Sequence, residues 1–303
     1  MLATVVQSRG SVPREVGAKM IVCADGSILN TIGGGAGEAK VIRQALQVLT
    51  SGRKQWVEID LSGAPQRETQ GICGGTMRVW LERWQGEAAS HLTKQILAKL
   101  QTGQPVALVT PFAADQSPYL SEQLAGEPAT TSEFVEILQP PPTLLIVGAG
   151  HVGEQLAKVA SLVGFQVAIQ DDRPEWANPQ RYPQAQVFTV PIAETISQFA
   201  SHTQLYAALV TRGYQYDLEA LQQLVTRPIP CIYIGMIGSR KRVRQVCQAL
   251  IERGISDTKL DSLYAPIGLD IGALTPEEIA VSISAELIRV RRGGSGRSLS
   301  ELA

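Results

Sequence analysis

Hydrophobic and polar positions alternate most regularly in the C-terminal half of the chain. Short apolar runs, typical of buried strands, occupy residues 144–147, 166–170, 187–190, 205–210 and 231–234. Between or after them, apolar residues recur with helical spacing at 151–163, 192–200, 215–225, 239–253 and 276–291. Alternation of this kind is typical of a doubly wound parallel sheet. We therefore predict an α/β fold with a Rossmann-like doubly wound parallel sheet in this half.

The N-terminal half has shorter and less regular elements. Apolar runs at 2–6, 20–23 and 28–32 and an alternating segment at 76–84 predict strands, and helical spacing follows residue 35 and recurs at 91–100. We predict a smaller α+β domain here. Three consecutive prolines at 140–142 hold the chain extended and remove three N–H donors. The predicted domains are therefore 1–138 and 143–303.

Composition narrows the class of protein. A chain of 303 residues with 44% hydrophobic and 18% charged residues can build two globular cores. With 27 Lys and Arg against 28 Asp and Glu, and 5% aromatic residues, a broad nucleic-acid-binding surface is disfavoured. The apolar runs are too short to span a bilayer, and the N-terminus lacks the pattern of a signal peptide. We expect a cytoplasmic protein without membrane or nucleic-acid partners.

The strand predicted at 143–147 leads directly into a G-x-G-x-x-G pattern formed by Gly148, Gly150 and Gly153. A helix follows, and Asp171 ends the next predicted strand, about 20 residues further on, as in a dinucleotide-binding unit. Such glycines admit a pyrophosphate close to the backbone at a helix N-terminus, and the acid accepts ribose hydroxyl groups. Asp172 and Arg173 follow immediately, so the usual distinction between NAD and NADP stays open.

Two glycine-containing segments of the N-terminal half carry candidate anion-binding groups. The loop at 10–20 contains Arg14 and Lys19, two cations within a Gly/Pro-rich stretch. A second loop leads into a helix that begins near Glu38, and it resembles a phosphate cradle formed by Gly33, Gly34 and Gly35.

Cys73 lies in a glycine-rich turn just before a predicted strand. The four cysteines of the chain form no C-x-x-C pair, so we expect no disulfide framework. Cys23, Cys231 and Cys247 occupy apolar surroundings, as small buried hydrophobic residues do. Cys73 instead has neighbours that leave it accessible and offer N–H groups to a thiolate, so we predict a functional role for it.

A further glycine-containing segment at 235–239 precedes three basic residues, at 240–242. This pattern suits an anion at a helix start or an ordinary solvated helix face, and both interpretations stay open. His91 and His202 lie in polar segments and are predicted to be surface residues.

Taken together, these segments resemble the XdhC/CoxI family of accessory proteins for molybdenum hydroxylases. The resemblance covers essentially the whole chain and includes the motifs at 10–20, 32–38, 73–75, 148–153, 171–173, 233–239 and 265–283. Some family members carry a cysteine where this chain has Ala36. The resemblance implies a chaperone that binds the molybdenum cofactor, in its molybdopterin mononucleotide or dinucleotide form. It also implies support for sulfuration with a cysteine desulfurase and delivery to a molybdenum hydroxylase apoenzyme.

The resemblance also assigns roles to the candidate residues. The fingerprint turn with Asp171 and Asp172 would hold the pyrophosphate and ribose of a dinucleotide cofactor. The N-terminal loops would hold the remaining anionic and pterin parts, and Cys73 would ligate molybdenum or relay sulfur. We expect these groups to face each other across a cleft between the domains. Whether the protein forms a homodimer, and whether it has any catalytic turnover, stays open.

Two alternatives from other classes are an NAD(P)-dependent oxidoreductase and a nucleotide-sensing module without chemistry. An oxidoreductase needs a proton donor or acceptor beside the hydride site, and the sequence contains no Tyr-x-x-x-Lys pair to supply one. A sensing module would be favoured if Cys73 were buried and inert.

Overall fold

The computed structural model describes residues 1–61, 74–124 and 132–301. The chain divides into two compact units, and each is described by itself. Unit 1 comprises Met1–Ala98 and Pro105–Leu138, and unit 2 comprises Lys99–Gln104 and Gln139–Ala303.

The N-terminal part of the chain combines antiparallel strands with two long helices. The elements in chain order are β1 (Leu2–Arg9), β2 (Lys19–Val22), β3 (Ile28–Leu29), α1 (Gly35–Ser51), β4 (Gln55–Asp60), β5 (Thr76–Glu82), α2 (Gly86–Gln101), β6 (Val106–Pro111), β7 (Tyr119–Ser121) and β8 (Glu133–Leu138).

One sheet of unit 1 has the strand order β3-β2-β1-β5-β4, with antiparallel pairing throughout. Helix α1 covers one face, because its buried residues Val41, Ala45 and Val48 recur at helical spacing and contact the apolar face of the sheet. A second antiparallel sheet has the order β7-β6-β8. Phe112 follows β6 and joins Trp56 and Trp80 in an aromatic cluster with ring centroids 4.5–5.1 Å apart.

The C-terminal part alternates strands and helices. The elements are β9 (Thr143–Val147), α3 (His151–Leu162), β10 (Gln166–Gln170), β11 (Gln186–Phe188), α4 (Ile192–Gln198), β12 (Leu205–Leu209), α5 (Tyr214–Val225), β13 (Tyr233–Met236), α6 (Arg240–Glu252), α7 (Asp257–Leu260) and α8 (Pro276–Arg292), followed by a 3-10 turn (Leu299–Glu301).

The strands of unit 2 form a parallel sheet in the order β11-β10-β9-β12-β13. Helices cover both faces, so the strands are apolar on both sides. Side chains of β9 alternate between two cores: Leu144 and Ile146 lie with α3 and α8, whereas Leu145 and Val147 lie with α4, α5 and α6. The carboxyl ends of β9 and β12, which lie on either side of the order reversal, are where such sheets bind ligands.

This architecture confirms the predicted fold class, a doubly wound parallel sheet preceded by a smaller α+β domain. Local differences have local causes. β13 begins at Tyr233 rather than 231, since Pro228 and Pro230 precede it and Ile232 donates its N–H outside the regular ladder to Leu205. The strands β4, β6 and β8 were not predicted. In the described part of the chain, no helix is long and apolar enough to cross a membrane.

Candidate functional site

The three fingerprint glycines of unit 2 form a tight turn between β9 and α3. Gly148 has a φ of 114°, and a Cβ there would lie 2.6 Å from the carbonyl oxygen of Val210. A Cβ at Gly153 would overlap the Gly148 carbonyl oxygen, whereas one at Gly150 meets no atom within 4 Å. Gly148 and Gly153 are therefore required by packing, and Gly150 leaves open space before the first turn of α3.

Asp171 ties the glycine turn to the end of β10. Its Oδ2 accepts from the Ala149 amide at 2.8 Å, and its two oxygens accept from Arg173 Nε and Nη2 at 2.9 Å each. Burial alone would raise the pKa of Asp171, but the hydrogen bonds from Arg173 and Ala149 outweigh it and lower the pKa to about 2. Asp171 is therefore ionised at neutral pH and fixes the turn.

Asp172 belongs to a different arrangement, with the loop after β12. Its Oδ1 and Oδ2 accept from Arg212 Nη1 and Nη2 at 2.9 and 3.0 Å. The Arg212 guanidinium also lies over the Tyr216 ring, 4.0 Å from its centroid, and donates to the Tyr216 hydroxyl group. Together these groups form a flat, charged platform beside the glycine turn.

A cavity of about 320 Å³ opens beside the carboxyl ends of these strands. It is lined by the end of β9 and the turn (Val147, Gly148), the end of β10 (Gln170, Asp171, Asp172), the segment after β11 (Thr189, Pro191, Ile192) and the segment after β12 (Thr211, Arg212, Tyr216, Glu219). This is the position at which open α/β sheets bind their ligands.

The turn has further supports that the sequence did not single out. Tyr182 donates its hydroxyl group to the Ala149 carbonyl at 2.9 Å, and burial raises the pKa of Tyr182 to about 12. Arg181 pairs with Glu154 at 2.5 Å and lies over the Trp176 ring. Arg212 could have been found from the sequence, since it follows the buried run 205–210. The roles of Arg181 and Tyr182 depend on tertiary contacts alone.

The second glycine-containing segment, at 235–239, precedes α6. Ser239 caps this helix by accepting from the Arg242 amide at 3.2 Å. The Arg242 side chain turns inward, where its Nε lies 2.6 Å from Oδ2 of the fully buried Asp217. Thr211, which lines the cavity, donates to the same carboxylate at 2.5 Å. Arg242 is therefore a structural cation, and Arg240 and Lys241 are exposed.

In unit 1, separate glycine-containing segments meet at one place. A Cβ on Gly75 would lie 2.5 Å from the Arg9 carbonyl oxygen, and one on Gly10 would lie 3.2 Å from the Gly75 Cα atom. Gly33 similarly contacts Pro13, whose Cβ would lie 2.9 Å from an added Cβ. The loop at 10–20 therefore contacts both the Gly33–Gly35 loop and the Gly74-Gly75 pair. The absence of side chains at these glycines is what lets the backbones approach.

The charged candidates around these loops have partners within unit 1. Glu38 Oε2 accepts from the amides of Ile32 at 3.1 Å and Gly34 at 3.2 Å, which caps the start of α1. Arg14 is exposed and donates to Asn30 Oδ1 at 3.3 Å. Lys19 Nζ lies 2.5 Å from Glu136 Oε2; burial raises the pKa of Glu136 despite this cation. Their predicted roles toward a ligand stay predictions.

A cavity of about 620 Å³ lies at the adjoining ends of β1, β4 and β5. Its charged lining comes from Arg9, Lys40, Glu58, Asp60 and Arg78. These cations were not singled out from the sequence. Arg14 and Lys19 are not among its described lining residues.

Cys73 lies outside the described residues, so its predicted role stays a prediction. Gly74, the next residue in the chain, donates its amide to the Leu61 carbonyl at 2.9 Å. The other cysteines are partly buried free thiols, and burial raises the pKa of Cys231 and Cys247. Among the described residues, no three His, Cys, Asp or Glu side chains lie together as a metal site would require.

One histidine prediction is confirmed and one is wrong. His91 is exposed, but His202 is 8% exposed, with Nε2 3.0 Å from Thr143 Oγ1 and Nδ1 accepting from the Gln204 amide at 3.2 Å. The polar sequence around it did not reveal that Gly103 leaves room for its ring.

This fold and site define a Rossmann-type binding unit joined to a glycine-rich α+β unit. Two family models match: the XdhC Rossmann domain at residues 144–287, and the XdhC and CoxI family at residues 1–60. The chain belongs to the XdhC/CoxI family.

Three curated relatives align with almost the whole chain. An uncharacterized protein, YqeB, of Escherichia coli K12 is 30% identical over 97% of this chain, which spans only 44% of that relative's length. A probable xanthine dehydrogenase component of Bacillus subtilis 168 is 27% identical over 96% of this chain and 93% of its own. The molybdenum cofactor insertion chaperone PaoD of E. coli K12 is 25% identical over 96% of this chain and 83% of its own.

A solved structure has the same fold. The crystal structure of a xanthine dehydrogenase from Bacillus halodurans superposes with a TM-score of 0.77 at 29% identity, and the match covers 99% of this chain and 94% of that one.

Proposed function

We propose that this chain is an accessory protein that binds the molybdenum cofactor as cargo, assists its sulfuration and delivers it to a molybdenum hydroxylase apoenzyme. The observation that carries this proposal is the meeting of the loop at 10–20 with Gly33 and Gly75 in unit 1. The backbones approach closely there, next in sequence to the one cysteine that the glycine pattern singles out. Two relatives, named for xanthine dehydrogenase and for cofactor insertion, support it.

Each part of the cargo has chemically suitable residues. The fingerprint turn offers the amides at the start of α3 to a phosphate or pyrophosphate, and the acidic pair Asp171 and Asp172 lies beside it for a ribose. In unit 1, Arg14, Lys19 and the Gly33–Gly35 loop would serve the anionic and pterin parts. A thiolate at Cys73 suits molybdenum as a soft ligand, or sulfur as a carrier. Partners would be a cysteine desulfurase and the apoenzyme, in the cytoplasm.

The decisive experiment is anaerobic binding of the purified molybdenum cofactor to the wild type, to Cys73→Ser and to Cys23→Ser. Cys23 is the matched control, since it is a partly buried free thiol in the same unit. We expect Cys73→Ser to weaken cofactor binding at least ~10-fold and Cys23→Ser to leave it unchanged, because a metal–thiolate bond is lost only in the first.

NAD and NADP are titrated in parallel, because the same fingerprint would serve them. Tight binding of either, indifferent to Cys73 and without affinity for the molybdenum cofactor, would favour the oxidoreductase or the nucleotide-sensing module instead. Copurification with the apoenzyme and with a cysteine desulfurase, and the mass of the particle in solution, would test the partners and the homodimer.

A further inference from the structure

Asp171 and Asp172 are neighbours in sequence but differ in their capacity to accept further hydrogen bonds. A carboxylate offers about four acceptor positions. Asp171 uses all of them within the protein: Oδ1 accepts from the Arg173 amide at 3.2 Å and from its Nε at 2.9 Å, and Oδ2 accepts from the Ala149 amide at 2.8 Å and from Arg173 Nη2 at 2.9 Å. With its side chain only 4% exposed, Asp171 could bind a ribose only by losing one of these donors.

Asp172 keeps acceptor positions available. Its side chain is 52% exposed and it lines the 320 Å³ cavity. Within the described part of the chain, its hydrogen bonds come from Arg212 alone, one to each oxygen. One acceptor position on each oxygen therefore remains for the two hydroxyl groups of a ribose.

The remaining walls of the cavity suit a nucleobase. The Arg212 guanidinium is planar and is held flat over Tyr216, and bases stack on such planes. Glu219 and Thr189 line the same cavity and can accept from base amino groups. The volume is at the small end of the range for ligand sites, which matches a nucleoside rather than a complete pterin cofactor.

We propose that the cavity beside the fingerprint turn holds the nucleoside of a dinucleotide ligand, with Asp172, not Asp171, receiving the ribose hydroxyl groups and the Arg212–Tyr216 platform receiving the base. Asp171 is the positioning residue that holds the turn. The inference rests on the proposed function, since it takes the cargo as a molybdenum cofactor, and it selects the dinucleotide over the mononucleotide form. A 2′-phosphate would face Asp172 and Glu219, so a free ribose diol is preferred.

The test measures calorimetric binding of nucleoside diphosphates to the full chain. CDP, GDP and ADP carry the pyrophosphate and ribose without the pterin, and each has a 2′-deoxy counterpart. We expect the wild type to prefer at least one ribonucleotide over its 2′-deoxy form by about 10- to 100-fold, the size of losing a hydrogen bond to a charged group. Asp172→Asn abolishes this preference. Asp171→Asn weakens both forms alike and preserves their ratio.

Controls separate this inference from the proposed function. Glu175→Gln alters an exposed carboxylate three residues from Asp172 that does not line the cavity, and it leaves the ratio unchanged. If no diphosphate binds, or if Asp172→Asn keeps the ribose preference while Asp171→Asn loses it, the inference is overturned. Binding of the molybdenum cofactor to the wild type is measured separately. Its failure would overturn the proposed function, whatever the nucleotides do.

Discussion

Oδ2 of Asp171 lies 2.8 Å from the amide nitrogen of Ala149, so the residue that ends β10 holds the turn that follows β9. Two adjacent parallel strands are thereby joined beyond their last ladder hydrogen bonds. The same carboxylate orients Arg173, whose guanidinium lies over the Trp176 ring. The turn is thus already fixed in the free protein, which lowers the entropy cost of binding a ligand there.

This relationship makes stability depend on pH in a defined window. The pKa of Asp171 is about 2 in the folded protein, against an ordinary value of 3.8. Because the folded pKa is the lower one, the stabilisation is complete above about pH 4 and is lost as the pH falls from 4 to 2. Asp171→Asn should cost about 2 kcal/mol at pH 7, and its difference from the wild type should shrink toward pH 2, in urea unfolding at each pH. A constant difference would contradict this account.

Gly153 and Gly150 should respond oppositely to the same substitution. Gly153→Ala places a Cβ against the Gly148 carbonyl oxygen and should cost about 2 kcal/mol or more. Gly150→Ala, at φ −73° and with open space around it, should cost under ~1 kcal/mol. Urea unfolding of the two variants measures both, and equal losses would mean that the turn relaxes around the new methyl group.

Arg242 and Arg240 provide a similar matched pair. Arg242→Ala leaves the fully buried Asp217 without its cation and should cost about 3–5 kcal/mol. Arg240→Ala changes an exposed residue two positions earlier and should stay within ~0.5 kcal/mol. In an Asp217→Asn background, Arg242→Ala should cost less, because the stranded charge is gone. A full double-mutant cycle by chemical denaturation gives the coupling energy.

His202 predicts a second pH effect, nearer neutrality. Burial, and secondarily Arg227, lower the pKa of His202 from its ordinary value of 6.5. The unfolded chain therefore binds the proton first, and folding stability falls as the pH drops below about 6.5. His202→Gln should remove this component of the pH profile. The exposed His91→Gln is the control and should leave the profile unchanged, as thermal unfolding between pH 5 and 8 would show.

Much of the fold of unit 2 was predictable, because its signals are local. β9 is preceded by three prolines and followed by a glycine turn and an amphipathic helix, and each of these restricts the backbone over a few residues. Unit 1 was less predictable. Strands β4 and β6 acquire their place only by pairing with partners distant in sequence, as Trp56 does opposite Trp80.

The glycine spacing at 148–153, the acid at the end of β10 and the alternation that builds a doubly wound sheet can all be read from the sequence alone. Which of two adjacent carboxylates retains acceptor positions depends on the folded structure. Arg173, the neighbour of Asp172, turns back to Asp171, whereas Arg212, 40 residues away, takes Asp172. Likewise the cation at 242 pairs with the buried Asp217, 25 residues earlier. The physical reason is that these partners are chosen by proximity across packed elements, and spacing along the chain carries no record of it.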